Sequence, residues 1–174
     1  MKTYQALGII FLAALVAGCG RSPLKEYVVE DGSWAILLPG TPKREVSTIQ
    51  TAIGPVDQIQ YRVGNFNRQY AMAYADFPSF ITSVPAQGLL DGARDGALKN
   101  TNARLIDDRA RHLGEFLGKE IRAELPNTDI QMRAFIFLVK HRLYQIIVVE
   151  PKNGIGSART DSIFFSFELR KDPL

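Results

Sequence analysis

This 174-residue chain has a single cysteine, and it lies at position 19, just after an apolar N-terminal segment. Lys2 precedes an apolar stretch from Ala6 to Leu15, and small residues then lead to Cys19. A basic residue, an apolar segment and small residues in this order are typical of a bacterial export signal. The apolar stretch is shorter than the roughly 20 residues that a transmembrane helix needs. We therefore predict a signal peptide over residues 1–18, removed by cleavage before Cys19.

The segment Leu15-Val16-Ala17-Gly18-Cys19 resembles the bacterial lipobox, in which the cysteine is acylated and becomes the new N-terminus. One acyl chain binds a membrane only marginally, whereas two or more attach a protein stably. The sequence thus predicts a lipoprotein anchored through Cys19 at the cell envelope. It would face the periplasm from the outer or inner membrane, or the exterior of a Gram-positive cell. An ordinary cleaved signal with an incidental cysteine and an uncleaved anchor are the alternatives.

Lipidation of the only cysteine leaves no disulfide, so core packing alone must stabilise the exported part. Removal of the first 18 of 174 residues leaves 156, which is the size of one domain. With 46% hydrophobic and 22% charged residues, the composition is that of a globular protein. We divide the chain into a lipidated tether at 19–26, a single α+β domain at 27–169 and a C-terminal tail at 170–174.

The net charge of +3 is distributed along the chain rather than clustered. Nucleic-acid binding requires clustered positive charge, so we exclude it. Basic and acidic residues alternate in the segment 119–124, and we interpret that segment as a solvated strand face.

Alternation of polar and apolar residues predicts two groups of strands, one before and one after a helix in the sequence. The predicted strands cover 27–29, 34–38, 46–53, 56–63 and 70–77, then 105–113, 119–125, 131–139 and 143–149. Nearly continuous apolar runs in the last two are typical of central strands covered on both faces. The predicted helices cover 86–100 and 158–165, and Ser157 caps the second, on which Phe164, Phe165 and Phe167 are expected to dock. The expected fold class is α+β, an antiparallel sheet flanked by helices.

Three glycines, Gly88, Gly92 and Gly96, form a stripe along the first predicted helix. Each costs about 1 kcal/mol relative to alanine inside a helix. Such a stripe indicates either a close approach to the sheet or a soft helix. The alternate residues from Ala71 to Ala75 make one face of the preceding strand entirely alanine, and we predict that this face packs against the glycines.

Five segments of the chain resemble, in sequence and spacing, a family of small exported bacterial proteins. They are Trp34-Ala35-Ile36-Leu37-Leu38-Pro39-Gly40-Thr41-Pro42, Leu89-Leu90-Asp91-Gly92-Ala93-Arg94-Asp95-Gly96-Ala97, Gly118-Lys119-Glu120-Ile121, Arg142-Leu143-Tyr144-Gln145 and Phe164-Phe165-Ser166-Phe167. The layout is similar to the fold shared by the photosystem II extrinsic protein PsbP and the Ran-binding Mog proteins. Over roughly 27–169, the resemblance implies an antiparallel sheet sandwiched by helices. The cation-binding residues of PsbP and the partner surface of Mog proteins cannot be placed on this sequence, so neither function is carried over.

The histidines and the paired aspartates are the candidates for catalysis or metal binding. His112 and His141 have no serine nucleophile in a Gly-x-Ser-x-Gly elbow to serve. Asp107 and Asp108 are adjacent on a strand, so their side chains point to opposite faces and cannot chelate one ion together.

Asp91 and Asp95 share a helix face, which suits general acid–base chemistry. Arg94 and Lys99 follow them at spacings of three and four, so we interpret both as ordinary stabilising helix pairs. The sequence therefore predicts no enzyme, no cofactor and no metal site.

A hairpin turn at Lys140-His141-Arg142, between the two most apolar strands, is the predicted partner surface. Hairpin tips are exposed and rigidly held, and cationic groups there would meet anionic headgroups or an acidic partner. The alternative is a turn whose charges only keep the hairpin soluble. Phe66 and the segment 77–80 are either further partner contacts or edges of the core.

These observations favour a monomeric, non-enzymatic binding or assembly module at the cell envelope, with a protein partner. The alternative function is binding of a small ligand or lipid in a pocket between sheet and helices. A cavity lined by Tyr70, Met72 and Tyr74 would support that alternative.

Overall fold

The structure is a computed structural model that describes residues 22–51, 53–65 and 67–171. The predicted signal peptide, Cys19 and Phe66 lie outside the described residues. None of the described helices is both long and apolar enough to span a membrane.

The described elements follow the predicted order closely. They are β1 (Lys25–Val28), β2 (Trp34–Leu38), β3 (Lys43–Thr51), β4 (Gly54–Asn65), β5 (Arg68–Asp76), a 3-10 helix (Ser79–Ser83), α1 (Ala86–Thr101), β6 (Arg104–Leu113), β7 (Phe116–Glu124), β8 (Ile130–Val139), β9 (Arg142–Pro151), α2 (Ala158–Phe165) and β10 (Glu168–Leu169).

Seven strands form one antiparallel sheet in the order β3-β4-β5-β9-β8-β7-β6. Two consecutive meanders, β3 to β5 and β6 to β9, join where β5 pairs with β9. The apolar strands β8 and β9 are central, as predicted, because side chains on both of their faces must be kept from water. The α+β fold class is confirmed.

One face of this sheet is covered by α2 and by a small sheet of order β1-β2-β10. Trp34 and Ile36 of β2 pack there with Phe164 and Phe167, and all four are at least 94% buried. The Ser157 hydroxyl caps α2 as predicted by accepting a hydrogen bond from the Thr160 N–H at 3.3 Å. Phe165 docks only at its edge: its ring meets the Phe135 ring of β8 with 5.7 Å between centres, and 63% of the residue is exposed.

The other face is covered by α1, whose apolar stripe packs on β7 and β8. Leu90 is fully buried against a cluster that includes Ile121 and Met132. The predicted amphipathic character of this helix is confirmed.

The predicted contact between the glycine stripe and the alanine strand is wrong. A Cβ added at Gly88, Gly92 or Gly96 would meet no atom of the described residues within 4 Å, so the glycines line the outer side of α1. The alanine face of β5 is nonetheless buried. Strands β7 and β8 offer larger apolar side chains than alanine, and a helix gains stability in proportion to the apolar area that it buries.

The interpretation of segment 119–124 as a solvated strand face is also wrong. Lys119 and Glu120 are only 7% and 5% exposed. Strand β7 lies between β6 and β8, with α1 packed on one of its faces and the Arg111 and Arg133 side chains on Glu120 of the other. Its charged side chains are therefore buried among ion-pair partners rather than in water.

Candidate functional site

The turn between β8 and β9 lies where the sequence predicted it. Lys140 has the left-handed φ of 56° that closes the tight turn, and it is exposed. The His141 carbonyl accepts a hydrogen bond of 2.9 Å from the Phe77 N–H, directly after the end of β5. The turn is thereby fixed to the neighbouring strand, and the side chain of His141 is half-buried.

Arg142 differs from its two neighbours because it is held inside the structure. Its guanidinium binds both carboxylate oxygens of Asp76, with Nε–Oδ1 at 2.5 Å and Nη2–Oδ2 at 2.7 Å. It also lies 4.5 Å from the centre of the Tyr74 ring, and only 17% of its side chain is exposed. The hydrogen bonds that Arg142 donates to Asp76 raise the pKa of Arg142, and the Asp76 carboxylate neutralises its charge locally. Lys140 and His141 therefore present the outward polar groups of the turn.

A shallow depression of about 470 Å³ lies beside this turn. It is lined by Pro55, Val56, Asp57, Ile59, Tyr74, Asp76, Phe77 and Pro78. Because Asp76 and Phe77 bind the turn directly, the depression and the turn form one continuous surface. We define Lys140, His141, Tyr74, Asp76 and Phe77 as the distal surface.

The residues predicted to line a ligand pocket do not do so together. Tyr70 and Met72 are 5% and 0% exposed and belong to the core beneath α2. Only Tyr74, farther along the same strand, reaches the depression of the distal surface. The expected cavity is thus filled by the side chains that were expected to line it. In segment 77–80, the other candidate partner contact, Phe80 is 58% exposed and Phe77 is half-buried.

The other side chains considered for catalysis or metal binding are either ion-paired, as the aspartates are, or isolated, as His112 is. Asp107 pairs with Arg109 at 2.6 Å, whereas Asp108 pairs with Arg94 and Lys119, so the adjacent aspartates do point apart. Over the described ranges, no group of three or more His, Cys, Asp or Glu residues is arranged to hold a metal ion. His112 is exposed at the end of β6.

The predicted helix pairs are half right. Asp91 pairs with Arg94 at 3.2 Å, as its spacing indicated. Asp95 pairs with the same Arg94, through Nε at 2.8 Å, instead of with Lys99. Arg94 also reaches Asp108 on β6 at 2.5 Å, which draws its guanidinium to the sheet and places it close to both helix carboxylates.

Sequence reasoning missed a buried charge network beneath α2. Glu120 accepts hydrogen bonds from Arg111 and, at 2.7 Å, from Arg133, and Arg133 also pairs with Asp161 of α2 at 2.5 Å. Burial alone would raise the pKa of Glu120, but the two guanidinium groups outweigh it and lower that pKa. Arg133 lies over the Phe164 ring at 4.7 Å from its centre. The only signal in the sequence was a charge inside a strand next to buried apolar positions.

A second missed group is Glu150, which is fully buried near the end of β9. Its carboxylate accepts hydrogen bonds from the Tyr70 hydroxyl and, at 3.1 Å, from the Thr160 hydroxyl. Burial and the bond to Glu150 raise the pKa of Tyr70 to about 12. These three side chains fasten the start of α2 to the sheet.

The distal surface and the start of the described chain lie at opposite ends of the sheet. Strand β9 runs for 10 residues from Arg142 to Pro151, a rise of about 30 Å. At the Pro151 end, the Arg159 guanidinium of α2 donates a hydrogen bond to the Ser22 carbonyl. We call this the tethered end, because the predicted lipid site at Cys19 precedes Ser22 by three residues.

Comparison with known proteins supports the fold. No protein-family model matches the chain, and no curated protein matches its sequence. Among solved structures, the chain is similar to the solution structure of cyanobacterial PsbP (CyanoP) from Synechocystis sp. PCC 6803. The TM-score is 0.56 at 16% sequence identity, and the match covers 87% of this chain and 95% of that one. The chain therefore has a PsbP-like fold, as the resemblance implied.

Proposed function

We propose that this chain is a lipid-anchored, non-enzymatic binding module of the cell envelope, whose distal surface contacts an acidic protein partner. The observation that carries the proposal is the placement of the two ends. The predicted lipid site adjoins one end of a rigid sheet, and Lys140 and His141 project from the other.

The short tether decides which partner the distal surface can reach. Three residues from Cys19 to Ser22 span at most about 10 Å. The lipid would thus hold the tethered end close to the membrane and keep the distal surface about 30 Å away. Electrostatic interaction is screened over about 8 Å at physiological ionic strength. Headgroups of the same membrane are therefore out of range. Of the two partners that the sequence left open, anionic headgroups and an acidic protein, the protein is favoured.

The geometry of the turn suits binding because it is fixed before a partner arrives. The bidentate Arg142–Asp76 pair and the Phe77–His141 hydrogen bond hold the turn against β5. A preorganised surface loses less conformational entropy on association than a mobile loop. The surface would therefore act as a positioned contact for a partner.

The anchor is tested by replacing the lipid-bearing residue. Cys19→Ser is expected to abolish labelling by a fatty-acid probe and to move the protein out of the membrane fraction, because no acyl chain remains. The Arg109→Ala variant, with Cys19 intact, serves as the control. Membrane retention of Cys19→Ser, together with an uncleaved wild type, would show a plain signal anchor instead.

The partner is tested by site-specific photo-crosslinking in the native envelope. A crosslinking amino acid at position 141 is expected to capture one protein, and the same group at position 152 of the tethered end is not. Lys140→Glu should weaken the capture at 141, because an acidic partner is then repelled, and added salt should weaken it in the wild type. Equal capture at both positions, or insensitivity to Lys140→Glu, would refute the assignment of the distal surface.

A further inference from the structure

The tethered end carries basic side chains from four separate parts of the chain. Lys25 begins β1, Arg68 begins β5, Lys152 follows β9 and Arg159 lies in the first turn of α2. Arg159 binds the Ser22 carbonyl, and the Lys152 N–H donates to the Asp129 carbonyl at 2.9 Å. Strand pairing places Arg68 at the same end, since the next residue, Gln69, lies opposite Val149.

Most acidic groups at this end are either buried or paired with a basic side chain. Glu150 is fully buried, and the Tyr70 and Thr160 hydroxyls donate hydrogen bonds to its carboxylate without cancelling its charge. Glu26 pairs with Arg170 at 2.7 Å. Glu124, at the end of β7, pairs with Arg104. Asp129 is the exposed acid that offsets part of the positive charge.

The basic residues are not neutralised in the same way. Lys25, Arg68 and Lys152 form no ion pair with any residue in the described part of the chain, and the two lysines are exposed. The Nε atoms of Arg68 and Arg159 are buried without a hydrogen-bond partner among the described residues. This differs from the distal end, where Arg142 is bound to Asp76 on both oxygens. Positive charge is therefore left over at the end that the tether would hold down.

We propose that the tethered end is a second interaction surface, which docks on the anionic phospholipid headgroups of the membrane. The inference rests on the proposed lipid anchor, because the roughly 10 Å span from Cys19 to Ser22 keeps these side chains within about one screening length of the headgroups. Lipid attachment alone would let the domain swivel on its tether. Basic residues facing an anionic surface each strengthen attachment roughly fivefold, and would hold the sheet upright with its distal surface outward.

The test exploits the single cysteine of the sequence. Acylated Cys19 cannot take a thiol label, so a cysteine introduced at Asn153 or at His141 is labelled alone with a fluorophore. The lipidated full-length protein is reconstituted into vesicles of phosphatidylcholine, with or without phosphatidylglycerol, and with a nitroxide on some headgroups. Quenching of the fluorophore then reports which end of the domain approaches the headgroups.

The label at 153 is expected to be quenched strongly on anionic vesicles and less on neutral ones, whereas the label at 141 stays unquenched on both. Lys25→Glu/Lys152→Glu should remove the anionic enhancement at 153. Arg109→Glu/Lys171→Glu, which changes the net charge equally but away from this end, should retain it. Thermal melting of both double variants confirms that they remain folded.

Three results would overturn the inference, and they are distinguishable. If quenching at 153 is the same on both vesicles, or unchanged in Lys25→Glu/Lys152→Glu, the anchor holds but the basic end does not dock. If 141 is quenched as strongly as 153, the domain lies on its side. If the protein floats with neither vesicle and Cys19 accepts the label, the lipid anchor of the proposed function fails, and this inference fails with it.

Discussion

Lys119 and Glu120 are neighbours on β7, yet they belong to two charge networks on opposite faces of the sheet. On the α1 side, Lys119 lies 2.8 Å from oxygens of both Asp108 and Asp91. On the α2 side, Glu120 binds Arg111 and Arg133. Each network links the same strand to a different helix.

The two networks differ in their access to water. On the α1 side, the carboxylates of Asp91 and Asp95 are 38% and 63% exposed, so solvent screens their interactions. On the α2 side, the Glu120 and Arg133 side chains are 6% and 9% exposed, and Arg133 also lies against aromatic rings. Both helices also bury apolar side chains, but the Glu120–Arg133 pair beneath α2 is the place where removing one charge should cost most, because a buried charge without its partner is costly.

The sharpest test of this comparison removes one charge from each network. Glu120→Gln leaves two guanidinium groups without their shared carboxylate, and we expect a loss of about 3 kcal/mol in the free energy of unfolding. That is the lower end of the range for a broken buried pair, because Arg111 is 38% exposed and can be hydrated. Asp91→Asn on the α1 side should change the urea midpoint little. Equal shifts in the two urea midpoints would show that burial does not separate the networks.

Acidification should reveal the same contrast without a mutation, because protonation removes the charge of a carboxylate and leaves its size unchanged. The pKa of Glu120 lies below its ordinary value of 4.5, since Arg111 and Arg133 outweigh the effect of burial. A depressed folded-state pKa contributes stability above pH 4.5 that is lost as the pH falls through the folded value. We expect stability from urea titrations to decline below about pH 4.5 in the wild type, and less steeply in Glu120→Gln. The pKa of Asp108 is also lowered by Lys119 and Arg94 against burial, so Asp108→Asn serves as the comparison for the α1 side. Identical pH slopes for wild type and Glu120→Gln would exclude Glu120 as a source of acid sensitivity.

The sequence predicted the parts of this arrangement that depend on local patterns. The continuous apolar runs of β8 and β9 identified the central strands, and the residues between them identified the turn at Lys140. Both signals arise within about ten residues, where the period of side-chain burial is set by the strand itself.

The partners of charged residues could not be predicted in the same way. Arg142 is bound by Asp76, 66 residues earlier, because β5 pairs with β9. Glu120 meets Arg133 only through the register of β7 on β8. Register across a sheet is fixed by tertiary packing rather than by neighbours in sequence. The charge alternation of β7 therefore looked solvated, although α1 covers Lys119 and the two arginines cover Glu120.

The glycines on the outer side of α1 test how that helix is held on the sheet. A Cβ at Gly92 would meet no atom of the described chain within 4 Å, so Gly92→Ala gains helix propensity without a clash and should stabilise the protein by about 1 kcal/mol. Gly118 on β7 is the matched control. A Cβ there would lie against the Phe137 ring and 2.5 Å from the Ile136 carbonyl oxygen, so Gly118→Ala should destabilise by about 1–3 kcal/mol. Thermal melting of the two variants should give shifts of opposite sign. A lower melting temperature for Gly92→Ala would mean that a close contact covers the outer side of α1, and that this helix is not held by its inner apolar stripe alone.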